Sequence, residues 1–128
     1  MVVYSRFEQT QIAGLMRAFP ELEAPLLHIT ERLADLYEIV CAHVYHPGFR
    51  GSFSIKAVAP ALCPRFGYDD LKEISEGTAA SASFLRIARG ELGPSEERRT
   101  REALLAYCKR DTLAMVEVHA ALRKLASC

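Results

Sequence analysis

The chain carries no net charge, because 16 lysine and arginine residues are cancelled by 16 aspartate and glutamate residues. No whole-molecule field therefore announces a nucleic-acid or membrane partner, and any electrostatic argument must be local. A paired-cysteine motif is missing: Cys41, Cys63, Cys108 and Cys128 show no Cys-x-x-Cys spacing. Three of them sit in apolar helical or turn contexts where a reduced thiol packs as a small hydrophobe, which fits a reducing cytoplasm better than a disulfide framework. No basic segment followed by an apolar run opens the chain, and no apolar stretch reaches the length needed to cross a bilayer, so secretion and membrane insertion lack support. Internal repeats, low-complexity tracts and long linkers are missing too. With 128 residues, half of them apolar, the chain suffices for one domain with a moderate core.

What the chain does have is a run near its end, Leu104-Leu105-Ala106-Tyr107-Cys108-Lys109-Arg110-Asp111-Thr112-Leu113-Ala114-Met115. Residues at i and i+4 share a helix face, so Tyr107 presents its phenol beside the carboxylate of Asp111, with Leu104, Cys108, Met115 and Val118 expected on the core side. A carboxylate can hold a hard divalent cation through oxygen, and an adjacent phenol can orient a water that attacks phosphorus. The competing reading is a solvated carboxylate beside a half-buried packing tyrosine. Arg98, Arg99, Arg101, Lys109 and Arg110 against Glu96, Glu97 and Glu102 give a modest local basic excess, which also reads as a solvated helix face with exposed ion pairs.

Along the rest of the chain, Met1-Val2-Val3-Tyr4 has the apolar, β-branched look of a buried strand. A lone strand needs neighbours for its backbone groups, so pairing is expected with a second copy or with an upstream segment. Ser5-Arg6-Phe7-Glu8 is patterned as a capping box, and Ile12, Leu15, Met16 and Phe19 follow at helical spacing until Pro20. Leu22, Leu26, Ile29, Leu33, Leu36 and Val40 predict one long amphipathic helix to about Val44, or two shorter ones broken near Asp35. His46 to Ser52 reads as a loop, and Ser54 can cap a short helix from Ile55 to about Leu62, closed by Pro64. Tyr68-Asp69-Asp70-Leu71 is expected to open a short turn or helix. A helix from Thr78 to about Arg89 ends at Gly90, and Ser95 caps a last helix that runs to about Leu125.

Other constellations are less directive. Cys41, His43 and His46, with Cys63 further on, are zinc-type ligands, but a helix turns Cys41 and His43 about 200° apart, against convergence on one ion. His28 and His119 sit on helical stripes as packing or surface residues. Ser52, Ser54 and Lys56 stand where a helix N-terminus could meet a phosphate, although plain capping explains them as well.

The segment from Leu104 to Thr112 resembles the third motif of those RNase H-like 3′-5′ exonucleases that carry a tyrosine before their last catalytic aspartate. Val2-Val3-Tyr4-Ser5-Arg6-Phe7-Glu8 resembles their second motif, and Ser54-Ile55-Lys56-Ala57-Val58 a Ser-Leu-Lys segment that often follows. Tyr45-His46-Pro47-Gly48-Phe49-Arg50-Gly51-Ser52-Phe53-Ser54-Ile55-Lys56, Tyr68-Asp69-Asp70-Leu71 and Tyr107 to Thr112 together resemble a bacterial domain family of unknown function, DUF2779, placed with those nucleases. The likeness covers nearly the whole chain but only the C-terminal half of the family.

The resemblance implies an α/β chain: residues 1–128 as a partial RNase H-like domain, helix-rich, with one N-terminal strand and without the first Asp-x-Glu motif. It implies metal-dependent phosphodiester hydrolysis of DNA or RNA in the complete protein, with Mg2+ or Mn2+ held by Glu8 and Asp111 and water oriented by Tyr107. In this family pattern Ser5 stands where asparagine is usual and Glu8 where most such enzymes have aspartate. The expectation from another class is a non-catalytic helical module that binds nucleic acid or a protein partner. Glu8 also has a purely local role open to it, closing the capping box with Ser5.

Overall fold

The computed structural model describes residues 1–68, 74 and 77–127. It is predominantly helical. Strand β1 (Val2–Val3) leads into α1 (Phe7–Ala18), and a 3₁₀ turn at Pro20–Leu22 leads into α2 (Glu23–Thr30). Strand β2 (Ala34–Asp35) runs directly into α3 (Leu36–His43), followed by a 3₁₀ turn at Pro47–Phe49 and by α4 (Ile55–Leu62). The last two helices are α5 (Gly77–Ala88) and α6 (Pro94–Ala126).

Among the described residues the sheet is a single parallel pair, Val2 opposite Ala34 and Val3 opposite Asp35. Two residues per strand cannot form the layer of an α/β domain, so the expected α/β, RNase H-like architecture is corrected to an α-rich one. The strand at Val2–Val3 is real. Along one edge it pairs with β2 of this chain, which comes out of the segment whose spacing looked helical. A two-residue strand has no period to detect, whereas the break near Asp35 is where the spacing allowed one.

The capping box is also corrected. Asp35 reaches across from β2, its Oδ1 accepting from the Ser5 N–H at 2.9 Å and from the Tyr37 N–H at 2.8 Å. That second bond caps α3. The first takes the very N–H that Glu8 would have bonded in a capping box, and Ser5 sits at φ 97°, outside the usual cap geometry. The Ser54 side chain likewise makes no cap bond; its carbonyl instead accepts from Ala57 and Val58 N–H groups. The turn expected from Tyr68 falls outside the described residues beyond Tyr68, and so does Cys128.

The core is assembled from separate stretches: Tyr4 after β1, Leu36 and Val40 of α3, Phe49, Val58 and Ala59 of α4, Phe66, and Ala114 and Val118 of α6. Val40, Val58 and Val118 are fully enclosed. Helix α6 buries only Ala114 and Val118, and Cys108, expected on its core side, is exposed. Cys41 is exposed as well; Cys63 is partly enclosed and its thiol donates to the Glu117 carbonyl at 3.5 Å. Among the described residues no helix is long and apolar enough to cross a membrane.

Candidate functional site

The core stripe of α6 continues toward the N-terminus of the helix into chemistry. Ala114 and Val118 are buried, and one and two turns before Ala114 on the same face come Asp111 and Tyr107, both half-buried. Asp111 is therefore no solvated helix-surface carboxylate. Two other segments meet it there. Lys56 is the second residue of α4, and Tyr68 follows that helix beyond the buried Phe66.

The Lys56 ammonium lies between two phenols, 6.0 Å from the Tyr68 ring centroid and 5.7 Å from that of Tyr107. Both are cation–π distances. Tyr68 is held edge-on to Phe66 at 5.4 Å, and the Arg110 guanidinium stacks over the other ring at 5.5 Å. The Tyr107 hydroxyl abuts the start of α5, where a Cβ on Gly77 would stand 3.6 Å from it. An alanine side chain would meet the hydroxyl there in ordinary contact.

Burial pushes the Asp111 carboxyl above the usual carboxylate range, while the positive charge of Lys56 and the nearby Tyr68 phenol draw it back down. The Tyr68 phenol is in turn raised well above its ordinary value, first by burial and then by the negative charge of Asp111. Even so, Tyr68 Oη and Asp111 Oδ1 are enclosed and neither closes a hydrogen bond among the described residues. An enclosed carboxylate oxygen without a donor costs free energy, and its lone pairs remain available to a ligand.

Glu8 stands in the first turn of α1, half-buried, and its Oε2 is also enclosed without a hydrogen-bond partner. No hydrogen bond or ion pair among the described residues joins it to Asp111. Tyr107, Asp111, Lys56 and Tyr68 thus form one cluster, with Glu8 on a separate helix. In sequence Lys56 stood out as a possible phosphate contact near a helix N-terminus and Tyr68 as a member of a resembling block; their convergence on Asp111 is tertiary and has no local signal.

The donor set decides what metal these residues suit. Among the described residues no group of three His, Cys, Asp or Glu side chains could hold a metal ion, which also removes the zinc arrangement around Cys41 and His43. His46 is occupied locally, its Nδ1 accepting from the Gly48 N–H at 3.0 Å. A pair of ions clamped by several converging carboxylates has no counterpart here. Mg2+ asks for less. One or two carboxylates suffice, with water and substrate phosphate completing its shell, and the unpartnered Asp111 Oδ1 fits one such position.

Along α6, Arg101 pairs with Glu97 at 2.8 Å on the surface, and Glu96 pairs with Arg86 of α5 at 3.1 Å. Such exposed pairs contribute little to stability.

No curated protein and no solved structure matches the chain. Residues 1–54 match the model of the family described as Domain of unknown function (DUF2779), a stretch that contains Glu8 and ends before Lys56, Tyr68, Tyr107 and Asp111.

Proposed function

We propose that the chain contributes the phosphate-handling part of a magnesium- or manganese-dependent phosphodiesterase acting on DNA or RNA. The observation that carries this reading is the half-buried Asp111 with an unpartnered Oδ1, set among the Lys56 ammonium and the Tyr107 and Tyr68 phenols. Asp111 would hold the ion through that oxygen. A bound divalent ion supplies a more acidic water and a polarised phosphoryl oxygen. Lys56, now balanced by Asp111, offers its charge to a non-bridging phosphate oxygen. Tyr107 accepts a hydrogen bond from the attacking water and orients it, its hydroxyl held against the start of α5. Tyr68 steadies the Asp111 carboxylate by standing beside it. Glu8, with its own enclosed oxygen, is the second carboxylate of the proposal, acting from α1.

The test compares wild-type chain with Asp111→Asn on end-labelled single-stranded DNA and RNA in Mg2+ and in Mn2+. Metal-dependent cleavage by wild type, reduced at least about a hundredfold in the variant, is the expected result. Cleavage unchanged by the substitution refutes the assignment. The second reading, a non-catalytic nucleic-acid-binding module, is favoured by the lack of a three-ligand group among the described residues. Strand binding with no cleavage by wild type in either metal would establish it at the expense of the first.

A further inference from the structure

Lys56 is carried by a helix anchored in the core. It is the second residue of α4, and Val58 and Ala59 of the same helix are fully enclosed. Its ammonium stands between the rings of Tyr68 and Tyr107, 6.0 and 5.7 Å from their centroids. Ring faces suit an ammonium, whose charge the aromatic quadrupole attracts. They do not suit Mg2+ or Mn2+, which ask for an octahedron of oxygen ligands. The same charge acts on Asp111. Burial raises that carboxyl, and among the influences that lower it the positive charge of Lys56 comes first. The Oδ1 atom of Asp111 is meanwhile enclosed without a hydrogen-bond partner. The cluster therefore contains one cation of its own, seated on ring faces, and keeps carboxylate lone pairs for one more.

We infer that Lys56 takes the place a second divalent ion would have in a two-ion site, so that Asp111 holds a single ion and Lys56 sets how weakly it is held. The inference rests on the phosphodiester reading above and adds a control of metal affinity that this reading does not require. An ammonium acting on the same carboxylate repels an arriving divalent ion, and in a half-buried setting solvent screens that repulsion only in part. Its removal should therefore tighten the ion. A lysine that merely balances a buried carboxylate, at a position no ion enters, would give no such gain.

Mn2+ binding to the whole chain tests this without any turnover. It is read from the loss of the free-ion electron paramagnetic resonance signal, at mildly alkaline pH so that carboxylate protonation plays no part. Wild type should take up one weakly held ion. Lys56→Gln should hold it at least about tenfold more tightly, a gain that no folding defect produces. Lys56→Arg keeps the charge and should stay close to wild type. Adding Asp111→Asn to Lys56→Gln should abolish the gain. No uptake by either wild type or Lys56→Gln, or a Lys56→Gln affinity equal to or below that of wild type, overturns the assignment. So does an equal gain in Lys56→Arg, a gain that survives Asp111→Asn, or the spin-coupled spectrum of two adjacent ions in wild type. An unchanged Lys56→Gln affinity with Asp111-dependent cleavage intact removes the role of Lys56 alone. A tightened ion beside cleavage indifferent to Asp111→Asn keeps that role and removes the phosphodiester reading.

Discussion

Replacing Tyr4 by phenylalanine isolates the bond that ties the first strand to the loop before α4. The Tyr4 hydroxyl donates to the Phe53 carbonyl at 2.7 Å across 49 residues, and its ring packs edge-on to Tyr37 at 5.8 Å. The substitution keeps the ring, so packing is conserved and the loss is one hydrogen bond plus a carbonyl left without its donor in a part-buried place. Together these cost about 1–2 kcal/mol. For a domain of this size that lowers Tm by about 3–10 °C. Urea unfolding at constant m measures the loss directly, and Tyr37→Phe is the control. Tyr37 is 40% exposed, so its variant should stay within about 0.5 kcal/mol of wild type. A Tyr4→Phe cost no larger than that of the control would refute the claim that this bond ties the first strand to the loop before α4.

Two further outcomes concern Asp111. Its folded-state carboxyl lies above the ordinary 3.8, so the relative stability it confers is intact below pH about 3.8 and is lost as pH rises through the folded value. Asp111→Asn should therefore gain stability over wild type from acid toward neutral pH, read as the difference between two urea-denaturation series; a difference that is flat or shrinks with pH contradicts the burial argument. Lys56→Gln removes the charge that draws this carboxyl down, so the Asp111 midpoint followed by carbon-detected NMR titration should move further up, and an unmoved or lowered midpoint would break the pairing of Lys56 with Asp111.

The sequence was most legible where a signal and its structural cause are neighbours. Ser54 and Pro64 bracket α4, which runs Ile55–Leu62 as its spacing predicts. Gly90 ends the segment containing α5, and the Gly93-Pro94-Ser95 break opens α6. The break near Asp35 was visible as an alternative, since Asp35 is a good cap, but the strand before it was not. The capping box failed because a carboxylate 30 residues away claimed the Ser5 N–H, a competition no local pattern reports. Fold class failed for a related reason. Val2-Val3 is an authentic strand, but two resembling motifs suggested a layer around it that these residues do not build. At the site, the i,i+4 spacing of Tyr107 and Asp111 did put them on one face, and their half-burial follows from sharing it with Ala114 and Val118. The approach of Lys56 and Tyr68 depended on how α4 docks on α6.

Helix α6 is 33 residues long, a rod of roughly 50 Å, and fully buries Ala114 and Val118, with Met115 and Leu122 also packed against the core. Opening motions should therefore be graded along it. Backbone amides near 114–118 should exchange with deuterium only on global unfolding, while protection decays toward the two helix ends. Tyr107 and Asp111 sit one to two turns from that protected stretch. The Asp111 cluster thus rides on the most firmly held stretch of a single continuous rod.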